Sequence, residues 1–117
     1  MLVGSLLLWI STALTLVAAD APPEGKTYST WLADSAISRG QGRGLDANGQ
    51  PFVSYEHGTF QRALTALNAK TGNKTYLDWI KQGIDNVVAS NGTIGGGYEL
   101  TNYILDDLKI GESIVQL

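Results

Sequence analysis

The sequence predicts an all-α protein built from helical hairpins. Three observations predict it: four stretches whose apolar residues recur at three- and four-residue steps, no strand pair of comparable strength, and a repeat that relates the second stretch to the fourth. The first stretch runs from Tyr28 to Arg39, with Tyr28, Trp31, Leu32, Ala36 and Ile37 on one face and Gly40 and Gly42 as stops. The second carries Phe60, Ala63, Leu64 and Leu67 and ends at Gly72. The third carries Tyr76, Trp79, Ile80, Ile84, Val87 and Val88, capped by Asn73 or Thr75 and closed by Asn91-Gly92. Leu105, Leu108, Ile114 and Val115 begin the fourth. Pro51 to Tyr55 is short and reads as extended chain at most.

Shifted by fifty positions, Tyr55–Leu67 lies on Leu105–Leu117, so that Glu56 falls on Asp106, Leu64 on Ile114 and Leu67 on Leu117. Each copy follows a glycine-containing loop and starts its helix with an acid. The unit is one helix, a long loop and a second helix. Such hairpins bury their faces only against neighbours, which implies a toroid or solenoid. Two copies are fewer than the three or so that such arrays need, so the chain is expected to be the front of something longer. An open flank is expected to expose Trp79, Ile80, Ile114 and Leu117, leaving the isolated chain poorly folded or self-associated.

Composition narrows the function. The 117 residues carry eight Lys+Arg against eleven Asp+Glu, a net charge of -3 with no basic run, which excludes a nucleic-acid footprint. With no cysteine, disulfides, thiol catalysis and Cys-type zinc sites are excluded, and a single histidine, His57, excludes a multi-histidine metal site. Leu2–Val17 is almost continuously apolar, short for a membrane span, and ends in Val17-Ala18-Ala19. Residues 1–19 therefore read as a signal peptide cut before Asp20, giving a secreted, extracellular chain over 20–117 with no membrane attachment after cleavage. An uncleaved anchor is the competing reading. Secretion would expose two Asn-x-Thr sequons, at Asn73 and Asn91, to glycosylation.

Two loops gather the polar chemistry. One is Gly40-Gln41-Gly42-Arg43-Gly44-Leu45-Asp46, followed by Tyr55-Glu56-His57-Gly58; the other is Gly95-Gly96-Gly97-Tyr98, followed by Tyr103 and Asp106-Asp107. The repeat places both clusters at the same end of their hairpins, where they would converge on one rim. Acids in a first helical turn also stabilise helices by capping and the macrodipole, by ~1 kcal/mol or less, so Glu56 and Asp106 keep both readings. His57 reads equally as a hydrogen-bonded helix-start residue. Adjacent helical residues point about 100° apart, which argues against a metal held by Asp106-Asp107. Gly-x-Gly-x-Gly at 40–44 lacks a preceding strand and a Walker lysine, so phosphate cradling is not expected. Tyr55, Tyr98 and Tyr103 are either core or platforms for a sugar ring.

Tyr55-Glu56-His57-Gly58-Thr59-Phe60, then Ala63-Leu64 and Leu67, then Thr71-Gly72-Asn73-Lys74-Thr75-Tyr76-Leu77-Asp78 resemble the start of the unsaturated rhamnogalacturonyl hydrolases, glycoside hydrolase family 105. Asp85, Gly92-Thr93-Ile94 and the run from Tyr103 through Leu105-Asp106 to Gly111 continue the resemblance in the same order. It implies the N-terminal part of an (α/α)6 toroid, with the first and third helices outer and the second and fourth inner. It also implies an unsaturated pectic oligosaccharide as substrate, and no cofactor or metal. In that chemistry an aspartate protonates C4 of a 4,5-unsaturated uronic acid, water adds at C5, and the hemiketal collapses to release the sugar chain. The resemblance places a site aspartate on Asp106, and Tyr55 and His57 on the same rim, with the neighbouring Asp107, are expected to contact the substrate.

The family's principal acid/base aspartate lies in a later Trp-Leu-Asp-Gly stretch that these 117 residues do not contain, so the chain is expected to be inactive by itself. Two alternatives stand beside the hydrolase fragment. One is a non-catalytic secreted helical module binding carbohydrate or a partner. The other is a structural four-helix bundle with no ligand.

Overall fold

The computed structural model describes residues 20–99, 101 and 105–117. The signal-peptide segment 1–19 and Tyr103 lie outside the described residues, as does the side chain of Asp107. The described residues form an all-α fold. Their only extended pairings are two isolated antiparallel bridges, Leu45 with Pro51 and Val88 with Ile94.

Helix α1 spans Tyr28–Ser38 and begins with a reciprocal cap, in which Thr27 and Thr30 each satisfy the other's backbone N–H. Helix α2 spans Tyr55–Thr71, with Ser54 accepting from the His57 N–H at its start and Gly72, φ 68°, ending it in the left-handed conformation. Helix α3 spans Lys74–Val87, and Asn73 Oδ1 caps it by accepting the Thr75 N–H at 3.1 Å. The two-residue link Gly72-Asn73 folds α2 and α3 into a hairpin.

Two boundaries differ from those expected. The third helix stops at Val87 rather than at Asn91-Gly92. Val88 turns extended and pairs with Ile94, and Ala89 N–H donates to the Thr93 carbonyl, so a tight loop around Asn91-Gly92 takes the place of the last helical turn. The fourth element is not one α-helix from Leu105. A 3-10 segment covers Leu105–Ile110, and only Gly111–Gln116 is α-helical, as α4. Tertiary packing wins over local preference there, because the Lys109-Ile110 backbone lies against Gly58 while the Ile110 side chain is buried with Val53 and Val87.

The main core gathers Ala33 from α1, Leu64 from α2 and Tyr76, Ile80 and Ile84 from α3. A smaller cluster of Val53, Val87 and Ile110 ties the loops to the 3-10 segment, and Ile114 of α4 packs against both. Of the four residues expected on an open flank, Ile80 is buried, Trp79 and Ile114 are partly buried, and Leu117 is exposed. Ile80 is 1 % exposed because the α2–α3 hairpin closes over it. The large exposed apolar side chains include Tyr28, Leu32, Leu105, Leu108, Val115 and Leu117.

Candidate functional site

The site grows from the glycine loop that leaves α1. From Gly40 to Gly44 the backbone takes positive φ at each glycine (76°, 79° and 66°) and at neither intervening residue, so the sign of φ alternates. Three side chains hold it from behind. Trp79 Nε1 donates to the Gln41 carbonyl at 2.8 Å, Gln61 Nε2 to the Gly42 carbonyl at 3.1 Å, and Asn86 Nδ2 to the Arg43 carbonyl at 2.8 Å. Gln61 is wholly buried, and its Oε1 has no partner among the described residues. Gly83 of α3 lets the Gly42 carbonyl approach, since a Cβ there would run into it. The Arg43 guanidinium stands over the Trp79 ring, 5.7 Å from its centroid.

One turn before Gln61 stands His57, half-buried in the first turn of α2. Gly44 N–H points at its Nδ1 across 3.4 Å, and the Phe52 ring meets it edge-on at 6.1 Å. Burial pushes the His57 pKa below its ordinary 6.5, and the neighbouring Glu56 carboxylate pulls part of the way back. An accepting Nδ1 in a neutral ring puts the proton on Nε2, so His57 offers an N–H donor there. Its ring lines two adjoining clefts. One, of about 510 Å³, is bordered by Arg39, Arg43 and Asp46; the other, of about 340 Å³, by Gly42, Glu56 and Phe60. Asp46 is occupied as a turn former, with Oδ1 accepting the Asn48 and Gln50 N–H groups at 2.8 and 2.9 Å. Two guanidinium groups against the one Asp46 carboxylate leave the larger cleft net positive.

The residues expected to form the site are only partly brought together. Glu56 and His57 share the smaller cleft, and Tyr55, 52 % exposed, stands at the first position of α2. Asp106 is exposed on the 3-10 segment and borders neither cleft. Its expected place at the front of a long inner helix is corrected, because the α-helical turn begins only at Gly111. Tyr98 packs on Val53, Val87 and Ile110, which makes it core. Asn73 and Asn91 are both exposed, and each lends its Oδ1 to the N–H of its sequon threonine, at 3.1 and 3.0 Å.

Sequence reasoning missed Gln61, Trp79 and Asn86 as the loop's anchors. Gln61 had a signal: it is a polar residue in the helical stripe between His57 and Leu64. Among the described residues no three His, Cys, Asp or Glu side chains gather to hold a metal ion, and no helix is long and apolar enough to cross a membrane. No family model, curated protein or solved structure matches the chain.

Proposed function

We propose that the chain is the N-terminal portion of a secreted (α/α)6 hydrolase that removes 4,5-unsaturated galacturonyl residues from rhamnogalacturonan oligosaccharides. The reading starts from the sequence resemblance, and one structural observation supports it most. A Cβ on Gly58 would come within 2.5 Å of the Lys109 carbonyl carbon, so the first turn of α2 lies directly against the 3-10 segment. The second and fourth elements of a toroid would be neighbours in this way. The acids Glu56 and Asp106 then belong to neighbouring elements.

In this reading Asp106 handles the proton or the water at the vinyl ether, with Tyr55, His57 and Asp107 contacting the sugar. A neutral His57 serves as a hydrogen-bond donor rather than an acid. A second carboxylate is required, so the reading makes activity a property of a longer chain. The position of Asp106 outside both clefts favours a second reading, a secreted module that binds acidic carbohydrate without cleaving it.

The test is Asp106→Asn in the longer hydrolase, followed by loss of the ultraviolet absorbance of the C4=C5 bond. A site role lowers the rate by ~10²-fold or more, because the amide neither carries the charge nor exchanges the proton. The 117-residue chain is expected to leave the absorbance unchanged. Near-normal turnover by Asp106→Asn would remove Asp106 from the site, and turnover by the short chain would refute the need for a second carboxylate.

A further inference from the structure

We infer that copies of this chain associate head to tail, with the open side of the 3-10 segment and α4 of one copy docked on the α1–α2 groove of the next. The inference goes beyond the function proposed above. It rests on a joint that the chain already makes once within itself.

The chain holds two hairpin units, α1 with α2, and α3 with the 3-10 segment and α4. They are joined where α2 lies on the second unit. Gly58 sits on the Lys109-Ile110 backbone, and Gln61 lies against Gly83 of α3. Gly58 and Gln61 are buried, and Thr65, further along the same side of α2, is half-buried. Moved by fifty positions, these three fall on Leu108, Gly111 and Val115. There the same side is open. Leu108 is 53 % and Val115 86 % exposed, and a Cβ on Gly111 would have nothing within 4 Å. The side that α2 uses for its neighbour thus recurs in the second unit, apolar at two of three positions and uncovered among the described residues.

The receiving side shows the opposite pattern. Ile110 and Ser113 stand on the elements that α2 packs against, and both are buried. Fifty positions earlier stand Phe60, half-buried, and Ala63, exposed. These two line an apolar groove of about 440 Å³ between α1 and α2, with Leu32, Ala36 and Leu67. Its alanines leave room for larger side chains such as Leu108 and Val115. Each unit therefore lacks the covering that the other has, and a second copy supplies both. Stacked helical hairpins repeat one joint from neighbour to neighbour in this way.

Charge fits the same joint. Arg62 Nε meets Glu112 Oε1 at 3.6 Å across it, and the two positions are themselves fifty apart. Between copies the same positions meet with their roles exchanged, Glu112 of one copy facing Arg62 of the next, so the charges stay complementary. The two patches differ, which makes the contact heterologous. Association therefore continues past a dimer, into a ring or an open chain.

The experiment is sedimentation velocity on the full chain, expressed for secretion, over a range of concentrations. Species larger than a dimer are expected, their share growing with concentration. Val115→Glu disables the docking side and Ala63→Glu the groove; both positions are exposed, so the fold is retained, which circular dichroism checks. Each variant alone is expected to raise the dissociation constant about tenfold or more, because docking would bury an unpaired carboxylate. An equimolar mixture of the two is expected to form a one-to-one dimer and nothing larger, since one intact side meets one intact groove. Leu108→Glu and Leu32→Glu form a second pair with the same expectation.

A monomeric unaltered chain overturns the inference. Association that either variant retains alone also overturns it, because a symmetric contact or another surface would then be the cause. So does a mixture that stays monomeric or grows past the dimer.

Discussion

The loop from Gly44 to Val53 and the loop from Val87 to Gly96 close through the same hydrogen bonds, 43 residues apart, yet their approaches differ: the segment leading into the first is braced by side chains from α2 and α3. Leu45 bridges Pro51 as Val88 bridges Ile94. Asp46 N–H donates to Gln50 O at 2.8 Å as Ala89 N–H does to Thr93 O at 2.8 Å, and Phe52 N–H reaches Gly44 O as Gly95 N–H reaches Val87 O. Both turn on Asn-Gly, with Gly49 and Gly92 at φ 76° and 83°. The surroundings differ. Gly44 follows the glycine loop, whereas Val87 is the last residue of α3, so the residues matching Gln41–Arg43 are locked in a helix. Downstream, α2 starts at Tyr55, six residues after Gly49, while the 3-10 segment starts at Leu105, thirteen after Gly92. Turn chemistry is local and repeats wherever Asn-Gly recurs. The clefts beside the first loop come from what reaches it from elsewhere in the chain.

The contact joining the two halves is the place to strain this comparison hardest. At Gly58 an added methyl meets the backbone of Lys109 and Ile110 at 2.5–2.7 Å, and backbone cannot swing aside. Gly58→Ala is expected to cost about 1–3 kcal/mol, the range for overpacking a filled interior. Gly111→Ala, with nothing within 4 Å, is the control. It is expected to be neutral or to gain up to about 1 kcal/mol from the lower backbone entropy of alanine in a helix. Unfolding midpoints in urea measure both. Equal midpoints for the two variants would mean that α2 and the 3-10 segment are not in contact.

The equivalence of the two turns is tested by a milder pair. Gly49→Ala and Gly92→Ala each place an L-residue in the left-handed region with open space around it. Each is expected to cost about 1–2 kcal/mol, and the two costs are expected to agree. A large cost at one site and none at the other would break the repeat of 43 and leave only a coincidence of hydrogen bonds.

Much of this organisation is legible in the sequence where local chemistry decides it. The end of α2 at Gly72, the cap at Asn73 and the all-α class follow from residues that act on their neighbours. The repeat is legible but split. Its helix starts, Tyr55 and Leu105, are fifty apart while its loops are 43 apart, because the second unit carries seven more residues between loop and helix. A single alignment shift hides that. Beyond the polar place of Gln61 in the α2 stripe, the anchors were not legible, because Gln61, Trp79 and Asn86 act on carbonyls 19 to 43 positions away, and no spacing rule connects them to the loop. Asp106 stood out as an acid at a helix start. The packing of Ile110 and Gly58 made that start a 3-10 segment and left Asp106 outside the clefts.

The smallest effect separates the two loops by pH. His57 is the chain's single histidine, so its titration is unambiguous. Its folded pKa lies below the ordinary 6.5, so between the two values the unfolded chain binds the extra proton. The contribution of neutral His57 to stability is therefore complete above pH 6.5 and is lost as the pH falls through the folded pKa. The bond it accepts from Gly44 is long, at 3.4 Å, so the loss is expected to stay below about 1 kcal/mol. The Gly44 amide resonance should move with the midpoint of the His57 ring protons, while Val87, its counterpart in the second loop, stays still. Glu56→Gln removes the charge that partly restores the pKa, so the midpoint should fall further. A midpoint above 6.5, or one that rises in Glu56→Gln, would show that the ring is solvated and that Gly44 N–H does not reach it.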